Sequence, residues 1–402
     1  MSESYRVVTF SQLIEQGLLE IGDGYRAKLD ELGGEGPIFL RAGLLTAEGI
    51  NWSPADRFHA GLLPKIASKL GRPGDTMVTT KGNSVGRAAF VPENAPQFVY
   101  SPHLSYWRSR RQDELDPRFL YYWSRSKGFR SQLESMAGST DMAPYLSLTD
   151  QYRLHISLPN HKTQVAAARV LGALDDKIAA NDRMIRTSEK LAISLALDGA
   201  RNSNVALREL ALHVRRSVIP ESVAADFVAH YSLPAFDRSQ LPDIVRPSSI
   251  KSDKFVIRAP SVLVSKLNPS TPRVWDLGVL PSRPALASTE FVVLQPTHGI
   301  STHELWAACS QTAFAEELST KATGTSNSHQ RVNPEEILAA SVVDPRQMAD
   351  ATRSLISDLA AGAARARSES SVLAALRDTL LPQLMTGEIR VREAENMIED
   401  AT

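Results

Sequence analysis

The sequence predicts an α/β protein in which two duplicated mixed α/β domains are separated by two long antiparallel coiled-coil helices. Three observations predict this fold class: a heptad pattern from Gln164 to Leu197, a second one from Gln347 to Met385, and a common order of short motifs before each. The predicted boundaries are 1–160 for the first domain, 161–200 for the central helix, 201–345 for the second domain, and 346–402 for the C-terminal helix and tail.

The composition is that of an ordinary globular protein, with 402 residues, 43% of them hydrophobic and 22% charged. No apolar run reaches roughly 18 residues and no signal peptide follows Met1, so we expect a cytoplasmic protein with no membrane association. The single cysteine, Cys309, is expected to be a small buried hydrophobe. Basic and acidic residues balance at 45 each, which argues mildly against strong nucleic-acid binding by the chain alone.

The first domain shows alternating strand and helix signals. A turn rich in Gly and Pro precedes a β-branched strand at Thr76–Thr80, and the polar loop Lys81–Arg87 follows it. A second strand is predicted at Ala88–Val91. Helical spacing runs from Pro117 to Met136, and Leu154–Leu158 alternates like a half-buried strand.

The central helix is predicted from a seam of residues spaced alternately three and four apart. Most of the seam is apolar, and about 34 residues at a rise of ~1.5 Å form a rod of roughly 50 Å. Asn160 is the expected N-cap. The seam residues are Ala167, Leu171, Leu174, Ile178, Asn181, Ile185, Ser188, Ala192 and Leu195.

An internal duplication is predicted from a constant spacing between like features. Gly324 follows Gly138 by the same number of residues as Pro345 follows Pro159. We call this separation the repeat interval. The second copy of the first strand is Val262–Lys266, and the second copy of the polar loop is Leu267–Arg273.

The second long helix is expected to begin behind Pro345, with Asp344 as its N-cap, and to end at Pro382 and Gly387. Two copies related by a pseudo-twofold axis would pair their helices antiparallel and bring Asn181 near Gly362, Ala366 and Glu369. A buried Asn at such a position can fix register. The predicted seam comprises Leu355, Leu359, Gly362, Ala366, Glu369, Leu373, Leu376 and Leu380.

This order of motifs resembles the specificity (S) subunit of type I restriction–modification enzymes, in which two target-recognition domains are held by two antiparallel helices. The most specific blocks are LPNHKTQVAAARVLGALDDKIAANDRMI (Leu158 to Ile185) and LRDTLLPQLMTGEIRV (Leu376 to Val391). Further blocks are GDTMVTTKGNSVGRAAFVPE, SPHLSYWR, LDPRFLYYWSRSKGFRSQL and GSTDMAPYLSLTD. The second domain departs from the pattern, because its loop reads Leu-Asn-Pro-Ser where a Lys-Gly pair is usual.

The resemblance implies a non-catalytic subunit that reads a bipartite double-stranded DNA sequence and docks two copies of a DNA methyltransferase (M) subunit. S-adenosylmethionine is expected in those partners, which methylate adenine at N6. ATP and magnesium are expected in restriction/translocase (R) subunits, where the complex includes them, and no cofactor is expected in this chain. The two helices would then act as a ruler that sets the unread gap between half-sites.

The resemblance also implies site residues, chosen as loop side chains that donate to phosphates or base edges. The residues expected to bind DNA are Lys81, Asn83, Ser84, Arg87, Arg108, Ser139, Thr140, Lys266, Asn268, Arg273, Thr325, Ser326, Asn327, His329 and Arg331. Those expected to dock partner subunits are Asp175, Asp176, Lys177, Asn181 and Arg183. The alternative for the 81–87 loop is a solvated hairpin, and for Arg108 a solvated surface; Tyr121, Tyr122 and Trp123 are expected in the core.

Motifs of catalysis are absent from the sequence. Neither Asn268-Pro269-Ser270 nor Asn333-Pro334-Glu335 is the Asn/Asp-Pro-Pro-aromatic motif of adenine methyltransferases, and no GxxxxGK[ST] loop occurs. Three alternatives stay open at this stage. They are a stand-alone duplicated DNA-binding regulator, an enzyme with an unrecognised active site, and a coiled-coil adaptor without DNA reading.

Overall fold

The computed structural model of the protein describes residues 5–46, 49–137, 145–200, 203–297, 299–323 and 330–399. The chain forms two compact units. Unit 1 comprises Met1–Ala179 and Val372–Thr402, and unit 2 comprises Ala180–Ser371. Among the helices that the structure describes, none has an apolar stretch long enough to cross a lipid bilayer.

Unit 1 is built around a four-stranded antiparallel sheet of order β2-β9-β6-β7, beside which β1 pairs with β10 and β3 pairs in parallel with β8. Its strands are β1 (Arg6–Thr9), β2 (Leu19–Asp23), β3 (Ile38–Leu40), β4 (Leu45–Thr46), β5 (Gly49–Ile50), β6 (Thr76–Thr79), β7 (Ala88–Phe90), β8 (Phe98–Tyr100), β9 (Leu104–Ser109) and β10 (His155–Leu158). Its helices are α1 (Phe10–Glu15), α2 (Leu63–Ile66), α3 (Pro117–Ser124), α4 (Lys127–Ala137) and α5 (Leu148–Arg153). The long helix α6 (His161–Gly199) begins in this unit.

Unit 2 contains a second four-stranded antiparallel sheet, of order β12-β20-β17-β18, and a five-stranded sheet of order β13-β16-β19-β14-β15. Its strands are β11 (Asn204–Ala206), β12 (Ala211–His213), β13 (Ser217–Val218), β14 (Val228–Tyr231), β15 (Asp243–Val245), β16 (Lys254–Ile257), β17 (Ser261–Ser265), β18 (Val274–Leu277), β19 (Ala285–Ser288), β20 (Phe291–Pro296) and β21 (Ser341–Val343). Its helices are α7 (Leu233–Ser239), α8 (Thr302–Cys309), α9 (Thr312–Thr320) and α10 (Pro334–Ala339). The second long helix, α11 (Asp350–Thr386), begins here and ends in unit 1, where α12 (Val391–Glu399) follows.

The predicted duplication and the α/β fold class are confirmed by the order of strands. Strand β6 lies between β9 and β7 in unit 1 as β17 lies between β20 and β18 in unit 2. The pair β1·β10 recurs as β11·β21, and the parallel pair β3·β8 recurs as β14·β19. Each predicted strand of the repeat therefore has an observed counterpart, displaced only slightly at its ends.

The helix predicted from Pro117 to Met136 is two helices, α3 and α4, with a break at Arg125 and Ser126. A side chain caps the first turn of each helix. The Asp116 carboxylate accepts from the Phe119 amide at 2.7 Å, and the Ser126 hydroxyl accepts from the Phe129 amide at 3.3 Å. The continuous apolar spacing arises because both helices bury their rings in the same core.

The two long helices pack antiparallel within each unit, as predicted. In unit 2, Asn181 Nδ2 donates to Glu369 Oε2 at 2.8 Å, and Ile185 packs against Ala363 and Ala366. In unit 1, Arg377 Nη1 donates to Asp175 Oδ1 at 2.7 Å. Residues with higher numbers in α6 therefore contact residues with lower numbers in α11, as antiparallel helices require.

The predicted seam of α11 is wrong in its first half. Leu355 is 44% exposed, whereas Ile356, Ala360 and Ala363 are buried, so the buried face is displaced by one residue there. Alanines let the two backbones approach closely. The prediction followed the leucines and therefore missed the buried alanines. From Ala366 onward the buried residues Leu373 and Leu380 follow the prediction.

The helix ends agree with the predicted caps in part. Asn160 Oδ1 accepts from the Thr163 amide at 3.0 Å and caps α6. Asp344 caps a short 3₁₀ turn, Pro345–Gln347, and α11 itself begins at Asp350. Pro382, predicted to end the helix, lies inside it. The flanking Leu380, Leu381, Leu384 and Met385 are all buried, and their burial offsets a proline cost of about 3 kcal/mol.

Aromatic rings form the centre of unit 1. The ring centroids of Phe10 and Trp107 lie 5.0 Å apart, and those of Trp123 and Phe129 lie 5.4 Å apart. Trp123 is buried, as predicted. In unit 2, Cys309 is buried in α8, which confirms its predicted role as a small hydrophobe.

Candidate nucleic-acid interface

In unit 1 the predicted DNA-contact loop is a tight hairpin between β6 and β7. The Thr79 hydroxyl donates to the Ser84 carbonyl and accepts from the Arg87 amide at 3.1 Å, which fixes the turn. Lys81, Asn83 and Arg87 are exposed and Ser84 is half-buried. Arg87 Nη1 donates to the Leu45 carbonyl at 2.8 Å.

A second segment of unit 1 crosses the base of this hairpin. Lys81 and Tyr145 form an isolated β-bridge, and the Leu146 amide donates to the Thr80 carbonyl at 3.0 Å. On the other side, the Thr80 amide donates to the His103 carbonyl at 2.9 Å. The Lys81 ammonium lies 4.8 Å from the centroid of the Tyr145 ring, within the range of a cation–π contact.

Unit 2 repeats this backbone arrangement bond for bond. The Lys266 amide donates to the Glu290 carbonyl at 2.9 Å, the Val332 amide donates to the Lys266 carbonyl at 2.9 Å, and Leu267 forms a bridge with Arg331. Leu267 and Arg331 follow Lys81 and Tyr145 by the repeat interval. The predicted residue Arg331 is 63% exposed and donates to Glu290 Oε1 at 2.9 Å.

The second residue of each loop has a left-handed backbone. Gly82 has a φ of 82° and Asn268, its equivalent, has a φ of 49°. Asn is among the few residues with a side chain that tolerate this region. The unusual Leu-Asn-Pro-Ser sequence therefore keeps the turn that glycine provides in unit 1. Among the described residues, the buried Asn268 Oδ1 has no hydrogen-bond partner.

Two further predicted residues of unit 2 lie at the same loop. Arg273 is held by Asp237 through two hydrogen bonds, of 2.6 and 2.9 Å. Lys266 is half-buried; burial lowers its pKa, Glu290 opposes that shift, and Arg331 and Arg215 add to it.

Six predicted DNA-contact residues lie outside the described part of the chain, in the segments next to Tyr145 and Arg331. They are Ser139, Thr140, Thr325, Ser326, Asn327 and His329.

Arg108 differs from the other predicted DNA-contact residues. Its side chain is 9% exposed and donates to both carboxylate oxygens of the fully buried Asp75, at 2.6 and 2.7 Å. It also pairs with Glu20 at 3.2 Å. We therefore leave Arg108 out of the candidate interface and assign it to the interior of unit 1.

The residues predicted to dock partner subunits divide into two groups. Asp175 accepts from Tyr122, Arg125 and Arg377, and Asn181 is buried against α11, so both are engaged within the fold. Asp176, Lys177 and Arg183 are exposed on α6.

Unit 2 also contains a groove lined by Trp275, Trp306 and Val279. At its wall His303 Nδ1 hydrogen-bonds Asp276, and this bond raises the pKa of His303 although burial opposes it. In the part of the chain that the structure describes, no cluster of three His, Cys, Asp or Glu side chains could hold a metal ion.

Sequence reasoning did not select five residues at the base of the two loops: Thr80, His103, Tyr145, Leu267 and Glu290. The repeat interval would have found Tyr145 as the equivalent of Arg331. His103 and Glu290 are separated by one residue more than that interval, because unit 2 has one more residue between the starts of β18 and β19 than unit 1 has between the starts of β7 and β8. The interval alone therefore does not match these two residues.

No family model matches the chain, and no curated protein matches it. Among solved structures, the chain is similar to the S subunit of the type I restriction-modification system from M. genitalium. The identity is 16% and the TM-score 0.61, and the match covers 95% of this chain and 96% of that chain.

Two further chains match at lower structural similarity. The HsdS subunit from Thermoanaerobacter tengcongensis has 16% identity and a TM-score of 0.38 over 96% of this chain and 97% of its own. A chain solved in work on complex assembly and conformational transition of the type I R-M system has 16% identity and a TM-score of 0.41, over 96% and 98%. The first similarity shows that this chain has the fold of a type I specificity subunit over nearly its whole length.

Proposed function

We propose that this protein is the specificity subunit of a type I restriction–modification system. In this role it recognises a bipartite double-stranded DNA sequence, carries methyltransferase subunits and, where the complex includes them, restriction subunits, and performs no catalysis itself. The observation that carries the proposal is the repeated loop base, in which the same hydrogen bonds present exposed polar side chains once in each unit. The similarity in fold along nearly the whole chain supports it.

The exposed loop side chains have the chemistry that DNA reading requires. Lys81 and Arg87 in unit 1 and Arg331 in unit 2 are exposed cations, and Asn83 adds an exposed amide. Cations bind phosphates, and Arg, Lys and Asn also donate to base edges in the major groove. Because the chain has no net charge, we expect tight DNA binding only in the assembled complex.

The exposed charges of α6 are the proposed docking surface for two copies of the M subunit. Asp176, Lys177 and Arg183 make up this surface because they are exposed, whereas Asp175 is half-buried and Asn181 is buried. S-adenosylmethionine would enter with the M subunits, and ATP and magnesium with restriction subunits where these are present.

Methylation mapping tests the proposal directly. The genome of a host that expresses this chain with its M subunits should carry N6-methyladenine in a two-part motif, and the motif should vanish when this chain is deleted. Tight binding to a DNA site without M subunits would favour the stand-alone regulator. Methylation or cleavage by the purified chain would favour an enzyme, and no DNA preference in any assembly would favour the coiled-coil adaptor.

A further inference from the structure

The two loop bases share one backbone and differ in every side chain. We call the four equivalent positions the recognition frame: Thr80, Lys81, His103 and Tyr145 in unit 1, and Lys266, Leu267, Glu290 and Arg331 in unit 2. Two backbone hydrogen bonds and one β-bridge hold each set, with hydrogen bonds of 2.9 and 3.0 Å in unit 1 and of 2.9 and 2.9 Å in unit 2. The backbone therefore holds these four side chains at equivalent positions in both units, whereas their chemical type differs.

We propose that Arg331, positioned by Glu290, reads a guanine in the half-site that unit 2 recognises. This inference rests on the proposed function and deepens it.

Arg331 has the geometry of a base reader. A guanidinium has five N–H donors in a fixed plane, and the bond to Glu290 uses a single one of the two terminal nitrogens. Arg paired with O6 and N7 is the commonest specific contact to guanine. The side chain is 63% exposed, so most of its surface is open to a partner.

Glu290 acts through Arg331 and is a positioning residue. Its side chain is 28% exposed, less than half as much as that of Arg331, so the carboxylate is better shielded from solvent than the guanidinium. A charge-assisted bond of 2.9 Å orients the plane of the guanidinium before DNA arrives, which lowers the entropy lost on binding.

Unit 1 presents a different set of donors from the same positions. Lys81 is a compact cation over the Tyr145 ring, with three rotating donors where Arg331 has a rigid fork. The neutral Thr80, which is buried, replaces the half-buried Lys266, and the exposed His103 replaces Glu290. Different hydrogen-bond groups at matched positions select different bases.

The experiment uses the full complex with M subunits and measures methylation rates on substrates in which each base of the motif is changed singly. Arg331→Ala should lower discrimination at one guanine of one half-site by about 10- to 100-fold, and leave the other half-site unchanged. Arg331→Lys should not restore it, because a lysine cannot make the bidentate contact. Glu290→Gln should weaken discrimination at the same guanine, and Glu290→Asp should restore part of it.

Arg258→Ala is the matched control, because Arg258 is exposed in unit 2 beyond the opposite end of β17 from Lys266. Thermal unfolding checks that each variant folds. If Arg331→Ala fails to fold, the inference is tested by the loss of guanine discrimination in Arg331→Lys. An unchanged motif in the Arg331 variants would overturn the inference while the proposed function stands. A wild-type complex without any bipartite motif would overturn both.

Discussion

The amide of Asn181 is a polar group buried between two helices, and its partner is a carboxylate. Asn181 is 4% exposed, and its Nδ2 lies 2.8 Å from Glu369 Oε2. Replacing Asn181 by Leu alone removes a hydrogen-bond donor from Glu369. The cost of this lost bond outweighs the stability gained by placing an apolar side chain in the seam. We expect N181L to lower the free energy of unfolding by about 1 kcal/mol.

The double variant N181L/E369L should be more stable than N181L alone, because the buried Asn181–Glu369 hydrogen bond is then replaced on both sides. Denaturant unfolding of the two variants measures this. A single variant that is more stable than the wild type would contradict a stabilising pair between Asn181 and Glu369, and would instead fit an Asn that fixes register at a cost in stability.

The buried pair of Arg108 and Asp75 predicts a large effect on the stability of unit 1. Asp75 has no exposed side-chain surface and also accepts from the Tyr100 hydroxyl at 2.6 Å. Asp75→Ala leaves the guanidinium buried without its main partner, which should cost about 3–5 kcal/mol. The control is Asp56→Ala, because Asp56 pairs with Arg41 at 2.7 Å with both side chains over half exposed. Denaturant unfolding should find less than about 1 kcal/mol for the control.

His303 makes the stability of unit 2 depend on pH. Its hydrogen bond to Asp276 raises its pKa above 6.5, and burial opposes this. A raised folded pKa means that the stabilisation is complete below pH 6.5 and is lost as pH rises through the folded pKa. His303→Ala should therefore remove a decline in melting temperature that the wild type shows over that window. A decline of the same size in both proteins would contradict this role for His303.

At the scale of elements, the helix pair is the feature that links the two units in sequence. Both α6 and α11 run from one unit into the other. Inserting seven residues between Ala179 and Ala180 and seven between Ser371 and Val372 keeps the heptad phase of both helices. Each insertion lengthens its helix by roughly 10 Å.

The ruler hypothesis predicts that the unread gap of the DNA target then grows by roughly three base pairs. Methylation mapping with the double-insertion variant measures the gap. Insertion into a single helix is the control, because it shifts the pairing of α6 with α11 and should impair folding. A folded double-insertion variant that methylates the original spacing would refute the ruler.

Sequence periodicity predicted the repeated elements and missed the local ones. The strands around Met77 and Leu263 were found because apolar runs between turns leave little choice of structure. The five-stranded sheet of unit 2 was missed because strands such as β14 (VAHY) and β19 (ALAS) show no alternation of apolar and polar residues. Helix α12 was also missed, since its position depends on packing of Ala394 into the core of unit 1.

The candidate site was predictable to the extent that it follows the repeat. Loop residues such as Lys81 and Arg331 follow from motif spacing, whereas the burial of Arg108 follows from its partner Asp75, which is 33 residues away in sequence. Burial of a charged residue is decided by tertiary contacts that no local pattern reports.

At the scale of the whole molecule, assembly with partners is the property to test. Reversing two exposed charges of α6, with Asp176→Arg and Arg183→Glu, should abolish co-purification with M subunits and leave thermal unfolding unchanged. Asp198→Arg is the control, because Asp198 is exposed near the end of the same helix. Normal assembly of the double variant would place the docking surface elsewhere.

The burial of Cys309 has a practical consequence for mapping the interface. The chain has one cysteine, and its thiol is fully enclosed in unit 2, where burial raises its pKa and suppresses the reactive thiolate. A cysteine introduced at the exposed loop position Asn83 would then be the only thiol available to a maleimide or a thiol-modified base. Cross-linking from that single sulfur would identify which nucleotide the loop approaches.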